Sequence, residues 1–331
     1  MKKWPIFFFL ILVLLLFGGS FYYTQGFKSD LLVLSESNFQ NISLTSIHRV
    51  NQHNLFKPLK KEAVPLPKLE ARAVLSIVLR PKEQDLKSRI LFEKEGQRKL
   101  PIASLTKLMT ATVVLENYSL EEFIKISQGT VSTFSETGNL KPGEKLSVEN
   151  LLYIMLIESS NDAAKALSEK IGTENFVYLM NKKAQELGLK NTSFINPIGL
   201  DSEVFNWGQD YFSQINSSSA EDLAKLISYI SQEHSLIPEI LSLPEFELYT
   251  PEGKFHHKLF NTNILLKDSQ VLWGKTGYTE KSGDCIILVL RSPESLILSE
   301  DYLIVNIILG ANNRFLQMEK LINWLNSAFV W

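Results

Sequence analysis

Cysteine is almost absent from this chain, since Cys285 is the single cysteine among 331 residues. An intramolecular disulfide framework and a zinc site of the multi-cysteine kind both need at least two cysteines, so the composition excludes both. The 5 histidines also lack the spacing of a metal site such as His-Glu-x-x-His. We interpret the adjacent residues His256 and His257 as surface histidines, and the residues predict no metal site.

An excess of positive charge is also missing. The chain has 34 Lys and Arg residues against 36 Asp and Glu residues, which leaves a net charge of -2. No nucleic-acid surface is therefore expected. With 45% hydrophobic and 21% charged residues, the composition fits one large or two modest globular domains with a real core.

A long uncharged run is present at the N-terminus. Lys2 and Lys3 precede residues 4–23, which carry no charged side chain and are about long enough to cross a bilayer as a helix. The two lysines favour a cytoplasmic N-terminus with the rest of the chain outside the membrane. A cleaved signal peptide, with the small residues 18–20 at its cleavage region, is the alternative for residues 1–23. The bulky residues 21–23 favour an uncleaved transmembrane anchor.

Residues 24–69 are rich in Ser, Asn, Gln and Lys, and they predict an extracytoplasmic spacer. Pro58, Pro65 and Pro67 favour an extended, semi-rigid lead-in at its end. The globular catalytic domain is expected over residues 70–331.

Hydrophobic periodicity in residues 70–331 predicts strands at both ends of the domain and helices between them. The predicted strands are 73–79, 89–92, 271–275, 285–291 and 302–309. The predicted helices are 104–116, 147–158, 163–171, 174–187, 220–232 and 317–325. A loop is predicted over 191–201, which contains Asn, Pro and Gly. This order predicts an α+β fold, with an antiparallel sheet covered by helices.

Ser104 and Lys107 form a Ser-x-x-Lys motif at the start of a predicted helix. Residues three apart lie on one face of a helix, so the hydroxyl and the amine meet there. A serine becomes a nucleophile when a neighbour accepts its proton, and a lysine in a low-dielectric pocket can lose its own proton and act as that base. The pair predicts acyl transfer through a serine ester. Taken alone, the motif is more typical of an amphipathic helix with a solvated lysine.

Ser159 and Asn161 form a Ser-x-Asn motif between two predicted helices. Ser159 would pass protons beside the Lys107 amine, and Asn161 would hold the substrate amide or the lysine. A helix cap is the alternative, because Ser and Asn both cap helices well, and the two interpretations are compatible.

Lys275, Thr276 and Gly277 form a Lys-Thr-Gly motif in a predicted strand. On an edge strand, the cation and the hydroxyl suit an anionic carboxylate of the substrate, and the glycine leaves space for a peptide beside the strand. An ordinary turn between strands is the alternative for these three residues.

The three motifs occur in the order that is typical of penicillin-recognising serine enzymes. The chain resembles the low-molecular-mass penicillin-binding proteins, specifically the serine D-alanyl-D-alanine carboxypeptidase family (peptidase S11 type), over about residues 70–326. Outside the motifs, the resemblance lies in segments 140–164, 180–181, 187–192, 199–201, 219–224, 261–263 and 309–311, and in Arg314 and Trp324.

The resemblance implies a serine β-lactamase/penicillin-binding-protein-like fold, with a helical subdomain beside the sheet. It also implies these roles: Ser104 as nucleophile, Lys107 as general base, Ser159 and Asn161 as the second catalytic element, Lys275, Thr276 and Gly277 as the binding groups for the terminal carboxylate or the peptide, and the backbone N–H groups of Ser104 and Tyr278 as oxyanion hole. The implied reaction removes the terminal D-alanine from a peptidoglycan stem pentapeptide. It needs no metal or organic cofactor, takes place on the periplasmic or cell-wall side of the membrane, and is inhibited covalently by β-lactams.

Two departures from the family pattern are visible. Many relatives continue into a β-rich domain and an amphipathic membrane helix, whereas this chain ends at Trp331, and we expect a tether at its N-terminus instead. Residues 282–285 read Ser-Gly-Asp-Cys where relatives often have Ala-Gly and a less polar residue, which we expect to alter the local strand and not the chemistry.

Three alternatives to a carboxypeptidase follow. A class A β-lactamase is disfavoured, because the middle residue of the second motif is Ser160 and the loop 194–201 has no glutamate to activate the deacylating water. A D,D-endopeptidase that cuts cross-links would use the same site. A catalytically idle, membrane-tethered peptidoglycan-binding protein is disfavoured by the three intact motifs.

Overall fold

The computed structural model describes residues 58–79, 90–131, 137–201, 214–291 and 302–331. The predicted anchor, the spacer up to residue 57 and the first residue of the predicted strand 89–92 lie outside these residues. Within the described part of the chain, no helix is both long and apolar enough to span a membrane.

A five-stranded antiparallel sheet lies at the centre of the fold. Its strands are β2 (Ala73–Leu79), β3 (Ile90–Lys94), β10 (Val271–Thr279), β11 (Gly283–Arg291) and β12 (Leu303–Ala311). Their order across the sheet is β10-β11-β12-β2-β3. Every residue of β2 is buried, because both faces of the sheet are covered. This order leaves β10, which carries the Lys-Thr-Gly motif, at an edge of the sheet.

One face of the sheet packs against a group of helices. These are α1 (Thr106–Asn117), α2 (Val148–Ile157), α3 (Asn161–Glu169), α4 (Thr173–Glu186), α5 (Ala220–Glu233) and α6 (Leu236–Ser242). Helix α1 contacts α2, α3 and α4, and its first nine residues are buried. The α+β fold with an antiparallel sheet and a helical subdomain is thereby confirmed, and the Ser-x-x-Lys motif opens its central helix.

The other face of the sheet packs against α7 (Arg314–Ala328), through a second hydrophobic cluster. Strand β1 (Leu59–Lys60) pairs with β13 (Phe329–Val330) beside this helix. The indole N–H of Trp324 donates a hydrogen bond to the Pro65 carbonyl at 2.9 Å. The compact unit accordingly begins at Pro58, so the end of the predicted spacer is part of the folded domain.

Three small two-stranded sheets complete the described fold. They are β4 (Leu100–Pro101) with β7 (Ser217–Ser218), β5 (Phe123–Lys125) with β6 (Lys145–Ser147), and β8 (Glu245–Tyr249) with β9 (Phe255–Phe260). These pairs and α6 were not predicted from the sequence. The strands have only two to six residues each, so they lack the long apolar runs that mark the central strands.

Candidate active site

The nucleophile candidate lies in a tight turn at the start of α1. A 3₁₀ turn (Ala103–Leu105) leads directly into the helix, and Ala103 has a positive φ of 48°. A non-glycine residue rarely adopts this conformation, which is a local strain typical of functional sites. Ser104 is half-buried, and its Oγ lies 2.8 Å from Nζ of Lys107. The predicted meeting of hydroxyl and amine is present in the structure.

Lys107 is fully buried and has three polar neighbours. Besides Ser104 Oγ, its Nζ lies 2.8 Å from Oδ1 of Asn161 and 2.7 Å from the carbonyl oxygen of Ile198. Burial, and secondarily the charge of Lys275, hold the pKa of Lys107 well below its usual value. A neutral amine donates two hydrogens, which the Asn161 and Ile198 oxygens accept. Its lone pair is then left for the Ser104 hydroxyl proton.

The loop that carries Ile198 is held by two asparagines. Asn216 is buried, donates to Oγ1 of Thr106 at 3.0 Å and accepts from the backbone N–H of Ile195 at 2.7 Å. Asn196 Oδ1 accepts from the N–H of Gly199 at 2.7 Å. The Ile198 carbonyl was missed from the sequence, because a backbone oxygen leaves no residue signature.

The Ser-x-Asn motif joins α2 to α3. Ser160 is the N-cap of α3, since its Oγ accepts from the N–H of Ala163 at 3.3 Å. Ser159 has a positive φ of 61°, and its Oγ lies 2.8 Å from Nζ of Lys275. Asn161 Oδ1 faces Lys107. The capping and catalytic interpretations hold together, but Ser159 contacts Lys275, where the sequence predicted a place beside Lys107.

Lys275 is buried on the edge strand β10. Its Nζ donates to Ser159 Oγ and, at 3.1 Å, to the carbonyl of Thr276. Burial, and secondarily the positive charge of Arg314, lower the pKa of Lys275 to about 7. The Thr276 hydroxyl lies 2.7 Å from that of Thr262. Two lysines with lowered pKa values thus contact the Ser-x-Asn motif, Lys107 at Asn161 and Lys275 at Ser159.

Gly277 lies where β10 passes the nucleophile turn. A Cβ atom at this position would lie 3.0 Å from the backbone nitrogen of Ser104 and 3.1 Å from the carbonyl oxygen of Ile102. The glycine therefore lets the strand approach the Ser104 N–H closely, in addition to the space for substrate that the sequence predicted. Tyr278 follows with an exposed side chain, 59% accessible.

Arg314 and Asp284 were not assigned a function from the sequence. The Arg314 guanidinium donates to the carbonyl of Gly277 at 2.7 Å and forms an ion pair with Asp284 at 2.6 Å. Asp284 also accepts from the backbone N–H of Arg314 at 3.0 Å. The Ser-Gly-Asp-Cys sequence at residues 282–285, which differs from the family pattern, thus supplies the Asp284 carboxylate that orients Arg314 against the Lys-Thr-Gly strand.

Comparison with known proteins agrees with this geometry. The sequence profile described as D-alanyl-D-alanine carboxypeptidase, of peptidase family S11, matches residues 73–296. A D-alanyl-D-alanine endopeptidase of Pseudomonas aeruginosa is 29% identical over 251 residues, which are 73% of this chain and 74% of that protein. The D-alanyl-D-alanine carboxypeptidase DacF of Bacillus subtilis is 34% identical over 206 residues, 60% of this chain, and the match spans half (50%) of DacF.

A solved structure is similar to this protein in both fold and sequence. Penicillin-binding protein D2 of Listeria monocytogenes, in its ampicillin-bound form, has a TM-score of 0.64 and 30% identity, and the match covers 78% of this chain and 99% of that one. The three motifs, their convergence around Lys107 and the family match lead to one conclusion. The chain belongs to the D-alanyl-D-alanine carboxypeptidase family of peptidases, S11.

Proposed function

We propose that this protein is a serine D-alanyl-D-alanine carboxypeptidase that removes the terminal D-alanine from peptidoglycan stem pentapeptides through an acyl-enzyme on Ser104. The observation that carries the proposal is the environment of Lys107. Its amine is buried, has a lowered pKa and lies 2.8 Å from Ser104 Oγ, so in its neutral form it is suited to accept the hydroxyl proton.

The acylation step follows from this arrangement. Ser104 Oγ attacks the carbonyl carbon of the penultimate D-alanine while its proton passes to Lys107. The backbone N–H groups of Ser104 and Tyr278 stabilise the oxyanion, and such donors each contribute about 3 kcal/mol. The peptide bond then breaks, the leaving amine takes the proton that Lys107 accepted from Ser104, and Lys107 is neutral again. D-Alanine departs and the acyl group stays on Ser104.

Deacylation uses the same base. Neutral Lys107 accepts a proton from a water molecule that attacks the ester carbonyl, and Ser104 leaves with a proton returned by Lys107. The edge strand β10 is suited to align the peptide, with Lys275 and Thr276 near its terminal carboxylate. No step in this scheme calls for a metal or an organic cofactor.

β-Lactams would acylate Ser104 in the same way, as covalent inhibitors. The Listeria relative in its ampicillin-bound form supports this assignment. Fast turnover of the drug is not expected, because the loop 194–201 presents the Ile198 carbonyl to Lys107 and has no glutamate.

A D,D-endopeptidase that resolves peptidoglycan cross-links is the second candidate. It is favoured by the Pseudomonas aeruginosa relative, which is a D-alanyl-D-alanine endopeptidase and matches over 74% of its length. Incubation with a defined pentapeptide muropeptide and with a cross-linked dimer tests both. Free D-alanine from the monomer supports the carboxypeptidase, cleaved dimers support the endopeptidase, and no product from either indicates a protein that only binds peptidoglycan.

The proposal places the catalytic domain outside the cytoplasmic membrane, with residues 1–23 as its anchor. Support comes from the sequence, in which Lys2 and Lys3 precede an uncharged run. Protease treatment of spheroplasts should digest the catalytic domain. The mass of the mature protein decides between a retained anchor and a cleaved signal peptide.

A further inference from the structure

Two adjacent histidines link the β8–β9 hairpin to the loop of residues 158–161, which carries the Ser-x-Asn motif and is called the catalytic loop below. His256 Nε2 lies 3.1 Å from Oε2 of Glu144, and His257 Nε2 lies 3.2 Å from Oε2 of Glu158. The Nδ1 atoms of the two rings are 2.5 Å apart. Their side chains are only 7% and 16% exposed, which corrects the interpretation of this pair as surface histidines. In the described part of the chain, no group of three or more His, Cys, Asp or Glu side chains is arranged to hold a metal ion.

The geometry orients both rings towards carboxylates. Each Nε2 faces a carboxylate oxygen, so each ring can donate an N–H to it. The two Nδ1 atoms face each other, so the ring of His256 braces the ring of His257.

Glu158 transmits this contact to the catalytic loop. It ends α2 as its C-cap and immediately precedes Ser159, whose positive φ places its Oγ on Lys275. The same Oε2 atom also accepts from the N–H of Gly138 at 2.9 Å. We propose that His256 and His257 act as a positioning pair that holds Glu158, so that Ser159 and Asn161 stay in place for the reaction at Ser104. This inference rests on the proposed function.

The other charged side chains of β8 and β9 have partners of their own. The Lys258 ammonium is paired with Glu245 at 2.7 Å, and Glu247 accepts from the Tyr249 hydroxyl at 3.1 Å. Glu144 and Glu158 are the carboxylates that contact the two rings, so loss of the His257 ring should loosen Glu158.

The test compares His257→Gln and His257→Ala with the full-length wild type. Acylation by a fluorescent penicillin is followed at pH 7.5, over a range of drug concentrations. His257→Ala should lower the maximal acylation rate about tenfold with little change in the half-saturating concentration. His257→Gln should stay within about threefold of wild type, because its amide can still donate to Glu158.

The recovery of the rate in His257→Gln relative to His257→Ala is the decisive readout, because the Gln amide can restore the contact with Glu158. The matched controls are His234→Ala and His234→Gln, because His234 Nε2 also lies 3.2 Å from a carboxylate, that of Glu116, but on α1 and away from Ser159. Both controls should acylate at the wild-type rate.

Wild-type acylation by His257→Ala, or a His257→Gln rate as low as that of His257→Ala, would overturn the positioning role. These outcomes differ from failure of the proposed function, in which the wild type itself would not be labelled. Thermal unfolding of each variant identifies any loss of rate that comes from loss of fold.

Discussion

Asn161 Oδ1 lies 2.8 Å from the buried Nζ of Lys107, the same distance as Oγ of the nucleophile Ser104. An amide oxygen accepts a hydrogen bond from the lysine without adding a negative charge. Asn161 therefore orients the amine and leaves its pKa low, which is what a lysine base at neutral pH requires.

Asn161→Asp tests this relationship. A carboxylate at this distance favours the charged form of the lysine, so the pKa of Lys107 should rise. We expect penicillin acylation at pH 7 to fall about 10- to 100-fold, because a hydrogen bond to a charged group contributes about 1.5–3 kcal/mol and would here stabilise the protonated lysine. The acid limb of the pH profile should move to higher pH. An unchanged limb would show that Asn161 does not set the protonation of Lys107.

Gly277→Ala tests the close approach between β10 and the nucleophile turn. The new Cβ would press on the Ser104 nitrogen and the Ile102 carbonyl at 3.0 and 3.1 Å. We expect acylation to fall at least tenfold, with a loss of about 1–3 kcal/mol in the free energy of unfolding, as is usual for overpacking. Gly129→Ala, whose new Cβ would meet only Ser127 Oγ at 3.7 Å, is the control and should acylate normally.

Arg314→Gln tests the electrostatic coupling to Lys275. Burial and then Arg314 lower the pKa of Lys275 to about 7, so removal of the neighbouring cation should raise it towards its usual value of about 10.4. We expect the alkaline limb of the acylation profile, where Lys275 loses its proton, to move to higher pH. A limb at the same pH would mean that another group produces it.

Chains that begin at residue 58 and at residue 70 test the boundary of the folded unit. The shorter chain loses the β1–β13 pairing, the Trp324–Pro65 hydrogen bond and the buried side chain of Leu69. Burial of a leucine contributes about 1.5–3 kcal/mol, and a hydrogen bond contributes about 1 kcal/mol. Urea unfolding should show a loss of at least about 2 kcal/mol in the shorter chain. Equal stability would place residues 58–69 outside the cooperative fold.

The sequence predicted the parts of this protein that local patterns encode. The central strands are continuous apolar runs, and Ser104, Lys107, Asn161 and Lys275 belong to motifs whose spacing carries the chemistry. The four side chains converge in the structure as expected. Short exposed strands such as β8 and β9 lack that apolar signal, and they were missed.

Contacts that depend on tertiary packing could not be predicted. The Ile198 carbonyl on Lys107, the Arg314 guanidinium on Gly277 and the His257–Glu158 contact all join residues distant in the chain. None belongs to a spacing pattern, and two of the three are made to a backbone carbonyl oxygen. These contacts tune the lysines and the loops, whereas the motifs supply the reacting groups.

The central claim is that Ser104 becomes acylated with Lys107 as its base. Mass spectrometry of the protein after incubation with a penicillin, followed by proteolysis, tests it most directly. We expect one drug adduct, on the peptide that contains Ser104, no adduct in Ser104→Ala, and acylation slower by several orders of magnitude in folded Lys107→Ala. A folded wild type without an adduct, or with the adduct on another residue, would contradict the account.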